Sequence, residues 1–488
     1  MIINAVQVAP KRASKETYVI FLAKGEKIEP FDVRDQWVKR ALEREEFENG
    51  FGEIAILSSP EPDSPRYVCV GAGESDTATA QMWLRLIGTI CRFLQNKKIA
   101  RYTLALPFWY TAKPVDILRS TVVAIYASTY RFNRYITDVA RIVLRPKTVT
   151  LFVPHDITAG EATGAIQVGV TIGKAADNVR ELGNMPPIHM TPTVLAQEAK
   201  KVAHGKLVVK TLGPKQLKKE KMNGILAVSE GSKEDAQFII MEYRGGKKNE
   251  KPLVFAGKAV TFDSGGISLK PSQKMDEMKF DMLGGATVIA ILEVVAALNL
   301  PITVVGLVGA AENVPGDGAY RPGDIITAKN GKTIEILNTD AEGRVILADV
   351  LSYASMYKPK TVIDIATLTG ACVVALGENY AGVFSRSDEI ALALKKAGLA
   401  SGEHMWHMPL DDDFKKNVQS TIADTRNTGV VSDGDASNAA AFLEYFTDYP
   451  WVHVDIAGTA WGGDKPYRSV GATGSHVDAL VRFVEEQI

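Results

Sequence analysis

From about residue 180 onward, continuous runs of β-branched and aliphatic residues at 253–256, 302–309, 361–368 and 452–457 alternate with longer stretches of helical apolar period, among them 286–298 and 344–356. A strand that is apolar on both faces must be covered on both faces, so this alternation predicts a largely parallel sheet packed between helices. In such sheets ligands sit in the loops beyond the carboxyl ends of the strands, and those loops are where chemistry is sought. Residues 1–155 contain shorter strand candidates at 55–58, 66–71 and 148–154, with a helical pattern at 78–95. The expected fold is α/β throughout: a smaller N-terminal α/β domain (1–155), a connecting helix (156–182), and a larger C-terminal α/β domain (183–488) with a mostly parallel central sheet covered by helices. The connection is placed at 155–160, where Asp156 and Thr158 offer caps for the helix.

Composition narrows the function classes. With 488 residues, 46% hydrophobic and 23% charged, the chain has the make-up of a globular protein of two or three domains. A net charge of −1 gives no overall field for nucleic acid or anionic membrane. Residues 1–150 nevertheless hold 22 basic against 16 acidic residues. The cysteines Cys69, Cys91 and Cys372 are far apart, which leaves neither a disulfide framework nor a cysteine zinc site. The N-terminal residues 1–15 lack the pattern of a secretory leader, and the apolar region 286–311 is interrupted by Glu293, Asn299 and Pro301, so no membrane span is expected.

Three strand-end segments concentrate charged groups. The first, taken as a loop beginning at Gly257, carries Lys258, Asp263, the pair Gly265-Gly266, Lys270 and Pro271. The second, residues 275–285, sets Asp281 just ahead of an apolar helix, and the third is Asn338-Thr339-Asp340-Ala341-Glu342-Gly343-Arg344 at the head of another. Singly, each has an ordinary explanation: Asp340 and Asp281 as helix caps, Glu342 as a first-turn acid, Asp263 as a turn residue, and the lysines as solvated groups. Together they place four carboxylates, two lysines and an arginine where the strand-end rule puts a site. Bridging carboxylates are what two divalent cations about 4 Å apart require, which suggests a binuclear hydrolase. Competing motifs fail. There is no HExxH, and His404 and His407, spaced HxxH without the Glu, read as local packing or surface residues. The segment before Gly331-Lys332-Thr333 has Ile326 where a phosphate-binding loop needs glycine, and Ala227-Val228-Ser229-Glu230-Gly231 has Ala where a nucleophile elbow needs its first glycine.

At these residues the sequence resembles the leucyl aminopeptidases, also called cytosol aminopeptidases. The heptapeptide 338–344 matches the family signature. The segment 257–271 matches apart from Ala259, where glycine is usual, and 275–281, 366–371 and 471–474 also correspond. Ile188 stands where Asn is usual, outside the metal motifs. Residues 1–155 match in outline only.

The resemblance implies that Asp263 and Glu342 each bridge two divalent metals, Zn2+ and/or Mn2+ and possibly Mg2+. Asp340 would complete the looser site, and Lys258 with Asp281 the tighter one, the lysine amine having a lowered pKa beside the dication. Lys270 would polarise the scissile carbonyl, and Arg344 would hold a bicarbonate ion acting as general base toward the bridging water. The substrate's free α-amine would meet Asp281, while Met278, Thr367, Leu368 and Gly370 would bind the first side chain, Leu, Met or another apolar residue. Family members assemble as homohexamers, dimers of trimers, with sites opening on an internal cavity. A cytoplasmic enzyme acting on short peptides with free N-termini, without a membrane partner, is the expectation.

An additional DNA-binding or regulatory role is the alternative. It rests on the basic N-terminal domain, where Tyr130-Arg131-Phe132-Asn133-Arg134-Tyr135 is followed by Arg141, Arg145 and Lys147. The aromatics of that stretch are expected to pack an amphipathic helix. A metal-binding structural protein would leave the charges of Lys270 and Arg344 without use.

Overall fold

The apolar runs become strands in two sheets of a computed structural model. The structure describes residues 1–7, 16–24, 47–58, 66–74, 79–106, 113–153, 157–431, 433–465, 467–468 and 470–488. Residues 154–156, part of the expected connection, and 8–15, part of the N-terminal stretch, lie outside the described residues. Two compact units emerge, one of residues 1–174 with 464–469 and one of residues 175–463 with 470–488.

In the first unit, strands β1 (Ile2–Val6), β2 (Thr17–Ala23), β3 (Ile54–Ser58), β4 (Arg66–Gly73), β5 (Arg101–Ala105) and β6 (Thr148–Phe152) form one sheet in the order β1-β6-β5-β2-β4-β3. Every neighbouring pair is parallel except β3 with β4 at one edge. Helices α1 (Ala80–Asn96) and α2 (Pro114–Thr129) bury Leu86, Ile87, Ile90, Leu94, Leu118, Val122 and Ile125, and Trp83 Nε1 of α1 donates to Thr121 Oγ1 of α2 at 2.9 Å. The basic and aromatic stretch departs from the sequence expectation. α2 ends at Thr129, so residues 130–138 are irregular and form no amphipathic helix. Tyr130 is buried, the Arg145 guanidinium lies 5.2 and 5.7 Å from the Tyr126 and Tyr130 ring centres, and Arg131 donates to the carbonyls of Ser128 and Tyr130. Arg131 and Arg145 thus cover their own domain's aromatic and backbone surface.

Helix α3 (Ala159–Asn184) leads into the second unit. Its main sheet comprises β7 (Leu207–Leu212), β8 (Gln237–Arg244), β9 (Leu253–Asp263), β10 (Thr303–Asn313), β13 (Thr361–Ala366), β14 (Tyr380–Phe384), β15 (His404–Met408) and β17 (Trp451–Asp455), in the order β15-β14-β17-β13-β9-β10-β8-β7. The central strands β17, β13, β9 and β10 are mutually parallel, and the pairings β14–β17, β10–β8 and β8–β7 are antiparallel. The mostly parallel, helix-covered sheet predicted from sequence is what forms. A small sheet of β11 (Ile325–Thr327), β12 (Thr333–Glu335) and β16 (Thr425–Arg426) lies apart from it. His404 packs edge-on to Tyr380 and His407 Nε2 lies 3.0 Å from Ser385 O, local contacts of the kind expected.

Two helices sandwich the parallel strands. Val288 and Leu292 of α4 (Leu283–Ala297) lie against Gly306, whereas Ile346 and Val350 of α5 (Glu342–Ala354) lie against Gly309. Residues three apart on a strand point to opposite faces, so α4 and α5 cover opposite sides of β10. The helical run Met275–Ala297, which begins ahead of the interrupted region 286–311, is long and apolar enough to cross a membrane by length and composition. It is a core helix, with 83% of its most apolar window buried in the protein.

One strand is longer than its sequence suggests. β9 does not stop at Ala256 but runs to Asp263, because Lys258, Ala259, Val260 and, past an irregularity, Asp263 continue to pair with β10. Lys258 therefore stands on a buried strand and not in a loop.

Candidate active site

Asp263 ends β9, and the chain then turns through Gly265 and Gly266, both with positive φ, so that Lys270 folds back over the strand end. This turn is latched to the segment before α5. Ser268 N donates to Thr339 Oγ1 at 2.8 Å, Thr339 Oγ1 to Gly265 O at 2.6 Å, and Thr339 N to Ser268 Oγ at 3.1 Å. Asp281 arrives from the 3₁₀ turn Met275–Met282 ahead of α4, and Glu342 opens α5.

These segments converge. Lys258 Nζ lies 2.8 Å from Asp281 Oδ2 and 2.9 Å from Glu342 Oε1, and it donates to Thr367 O at 2.9 Å. Lys270 Nζ lies 2.7 Å from Asp263 Oδ2 and also pairs with Asp340. Among the described residues, Asp263, Asp340 and Glu342 each offer an oxygen within 4.8 Å of the others'. The cap explanations do not apply. The caps of α4 and α5 are Met282 and Ala341, the Asp281 carboxylate accepts from Thr367 Oγ1 at 2.6 Å, and Asp340 faces Lys270.

Four carboxylates and two ammonium groups leave a surplus of two negative charges in a largely buried site. Burial, then repulsion from Glu342, pushes the Asp263 carboxyl up to about 7. Burial likewise raises Asp281 and Asp340, each with Glu342 adding to it against the pull of a lysine. Burial would raise Glu342 too, but Lys258 and Lys270 outweigh it and hold this carboxyl below its ordinary value. Burial disfavours the Lys258 ammonium, yet Asp281, Glu342 and Asp263 more than offset it, so the amine is held above the ordinary lysine value. The lowered value expected beside a dication is the reverse of what these carboxylates impose by themselves.

The donor set fits divalent cations. It consists of carboxylate oxygens with one amine, and Asp281 Oδ2 and Glu342 Oε1 are buried on either side of that amine at 2.8 and 2.9 Å. The Arg344 guanidinium is nine-tenths buried or more; Nη1 donates to Asn427 O at 2.9 Å, Nη2 lies 3.7 Å from Asp435 Oδ2, and Nε has no acceptor. That orphaned donor fits a small anion.

Lys258, Asp263, Lys270, Asp281, Asp340 and Arg344 line one cleft of about 1300 Å³ together with Met278, Thr367, Leu368 and Gly370. Every site residue singled out in the sequence is therefore in or directly against it, Glu342 lying behind the wall on Lys258. Several supporting residues were not foreseen. Asn313 Nδ2 donates to Asp263 Oδ1 at 2.8 Å, and Tyr320 OH donates to Thr339 O at 2.9 Å. Asp455, at the end of β17, accepts from the backbone amides of Leu368, Thr369 and Ala457 and from Thr369 Oγ1. Asn427 Oδ1 accepts from Leu337 N. A polar residue closing an apolar strand run, as Asn313 and Asp455 do, was the available signal.

Comparison with known proteins agrees with this geometry. The model of the cytosol aminopeptidase family catalytic domain matches residues 177–481, and that of the family's N-terminal domain matches residues 20–138. A probable cytosol aminopeptidase of Roseiflexus castenholzii is 40% identical over 450 residues, 90% of this chain and 91% of its own. One from Chromobacterium violaceum is 39% identical over 463 residues, 93% of this chain and 88% of its own. Among solved structures, the bottromycin maturation enzyme BotP in complex with Mn superposes with a TM-score of 0.85 at 30% identity, covering 97% of this chain and 99% of that one. With both domains matched and this identity sustained over nine-tenths of its length, the chain belongs to the cytosol aminopeptidase family and is an aminopeptidase, a hydrolase of peptide bonds.

Proposed function

We propose that the protein releases N-terminal amino acids, with Leu, Met and other apolar residues preferred, from short peptides by two-metal hydrolysis. The observation that carries this reading is the convergence of Asp263, Asp281, Asp340 and Glu342 on Lys258 and Lys270 at the carboxyl end of β9. Asp263 and Glu342 would bridge two divalent ions, Zn2+, Mn2+ or Mg2+, with Asp340 completing one site and Lys258 and Asp281 the other. Bound there, the ions supply an activated water at neutral pH and charge to meet the developing oxyanion.

The chain's own groups do the remainder. Asp281, held by Thr367 Oγ1, offers its carboxylate to the free α-amine, which restricts cleavage to the N-terminus. Met278, Thr367, Leu368 and Gly370 receive the first side chain, and their apolar or small surfaces suit Leu or Met. Lys270, fixed between Asp263 and Asp340, stabilises the carbonyl oxygen as water attacks the carbon. Arg344, whose buried Nε supports an anion there, would hold a bicarbonate ion, which would supply a general base. As the C–N bond breaks, the proton taken from water passes to the leaving amine. A homohexameric, cytoplasmic enzyme is part of the same reading, which the family membership supports.

Asp340→Ala tests it. Hydrolysis of leucyl p-nitroanilide should fall by at least roughly a hundredfold while the oligomer stays intact. Undiminished turnover would refute the assignment.

A further inference from the structure

Asn313 closes β10 at the irregularity where that strand's pairing with β9 ends opposite Asp263. It is 1% exposed. Its Nδ2 donates to Asp263 Oδ1 at 2.8 Å and to Thr339 O at 3.0 Å. The flipped amide would set an oxygen against two acceptors, so chemistry assigns the orientation. Gly265 N donates to the same Asp263 Oδ1 at 2.9 Å. With two donors on Oδ1, Oδ2 of Asp263 is the oxygen paired with Lys270.

The arrangement is not one that packing alone selects. Asn313 Oδ1 is buried without a donor, an orphan that an apolar side chain of similar size would not create. Gly266 presses over this amide so closely that a Cβ there would stand 2.6 Å from Asn313 Oδ1.

We propose that Asn313 is a positioning residue for the metal centre. By holding Asp263 Oδ1 it fixes the rotation of the carboxylate that would bridge the two ions. Through Thr339 O it ties the residue preceding Asp340 to the same frame. This rests on the two-metal reading above.

The test is calorimetric titration of chelator-stripped protein with Mn2+ alone, for wild type, Asn313→Ala, Asn313→Asp and Tyr320→Phe. Asn313→Asp keeps the shape but replaces the donor by an acceptor. Tyr320→Phe removes only the other hydrogen bond to Thr339 O. Both Asn313 variants should bind Mn2+ roughly 10- to 100-fold more weakly, with Tyr320→Phe close to wild type. Should Asn313→Ala fail to fold, the near-isosteric Asp variant carries the comparison. Wild-type affinity in the Asn313 variants, or an equal loss in Tyr320→Phe, would overturn the role assigned to Asn313 and leave the two-metal reading standing. A wild-type protein that takes up no Mn2+ would overturn that reading and this inference with it.

Discussion

Lys258 Nζ occupies the space that a side chain on Gly343 would need: a Cβ at 343 would lie 2.6 Å from the amine. The lysine reaches Asp281 and Glu342 across the first turn of α5 only because that turn is bare. Gly343→Ala should favour the helix by up to about 1 kcal/mol in propensity, yet displace Lys258. Turnover of leucyl p-nitroanilide should fall by at least roughly tenfold, with far-ultraviolet dichroism unchanged. Full turnover in this variant would show that the position of Lys258 is immaterial.

The site has a pH signature of its own. Asp263 is raised from its ordinary 3.8 to about 7, so the folded protein holds a proton that the unfolded chain has released. Stability from this group is fully present below 3.8 and lost as pH rises through about 7. Stripped protein should therefore melt lower at about pH 8 than at about pH 5, and Mn2+ should restore the loss at the higher pH, since cation replaces proton. Thermal scans with and without Mn2+ check this; equal melting at both pH values, unmoved by the ion, would contradict it.

Asp455 organises the far wall of the cleft. Its carboxylate accepts from Leu368 N at 3.1 Å, Thr369 N at 3.1 Å, Ala457 N at 3.0 Å and Thr369 Oγ1 at 2.7 Å, holding the turn that starts helix α6 (Gly370–Leu376). Asp455→Ala orphans these donors, which should cost about 3 kcal/mol or more of stability. Because Leu368 and Gly370 line the cleft, KM for leucyl substrates should rise more than kcat falls. A variant with unaltered KM would separate this network from substrate binding.

A second pH dependence belongs to the core. His453 Nδ1 lies 2.5 Å from Asp364 Oδ1, and Trp451 Nε1 donates to Asp364 Oδ2 at 2.6 Å, all three residues buried on neighbouring strands. Burial disfavours the imidazolium, but the Asp364 carboxylate outweighs it and holds His453 above its ordinary 6.5. The pair's stability is present below 6.5 and lost as pH rises through the raised value. Asp364→Asn should destabilise by about 3–5 kcal/mol below neutrality and flatten that alkaline decline, as read by urea unfolding across pH.

The reach of sequence reasoning follows from what each feature depends on. The parallel core was legible because strands such as β13 are apolar on both faces, a local property of six residues. The members of the charged cluster were legible because the charges of Lys258, Asp263, Lys270, Asp281, Asp340 and Glu342 are out of place beside apolar runs. The extension of β9 to Asp263 was hidden because Gly257 and Lys258 look like a loop, and only pairing with β10 and, at Gly257, β13 carries the strand through them. The end of α2 at Thr129 was hidden likewise, since Tyr130 is buried in an extended conformation against Arg145, fifteen residues on. Asn313 and Asp455 act on residues 50 and 86 positions away, contacts that no local pattern encodes.

Counting ions and turnover in one sample tests the two-metal account most directly. Elemental analysis of purified protein should find two divalent ions per chain, chelation should abolish hydrolysis of leucyl p-nitroanilide, and re-addition of Mn2+ or Zn2+ should restore it. Protein that keeps full aminopeptidase turnover after its ions have been removed would contradict the account.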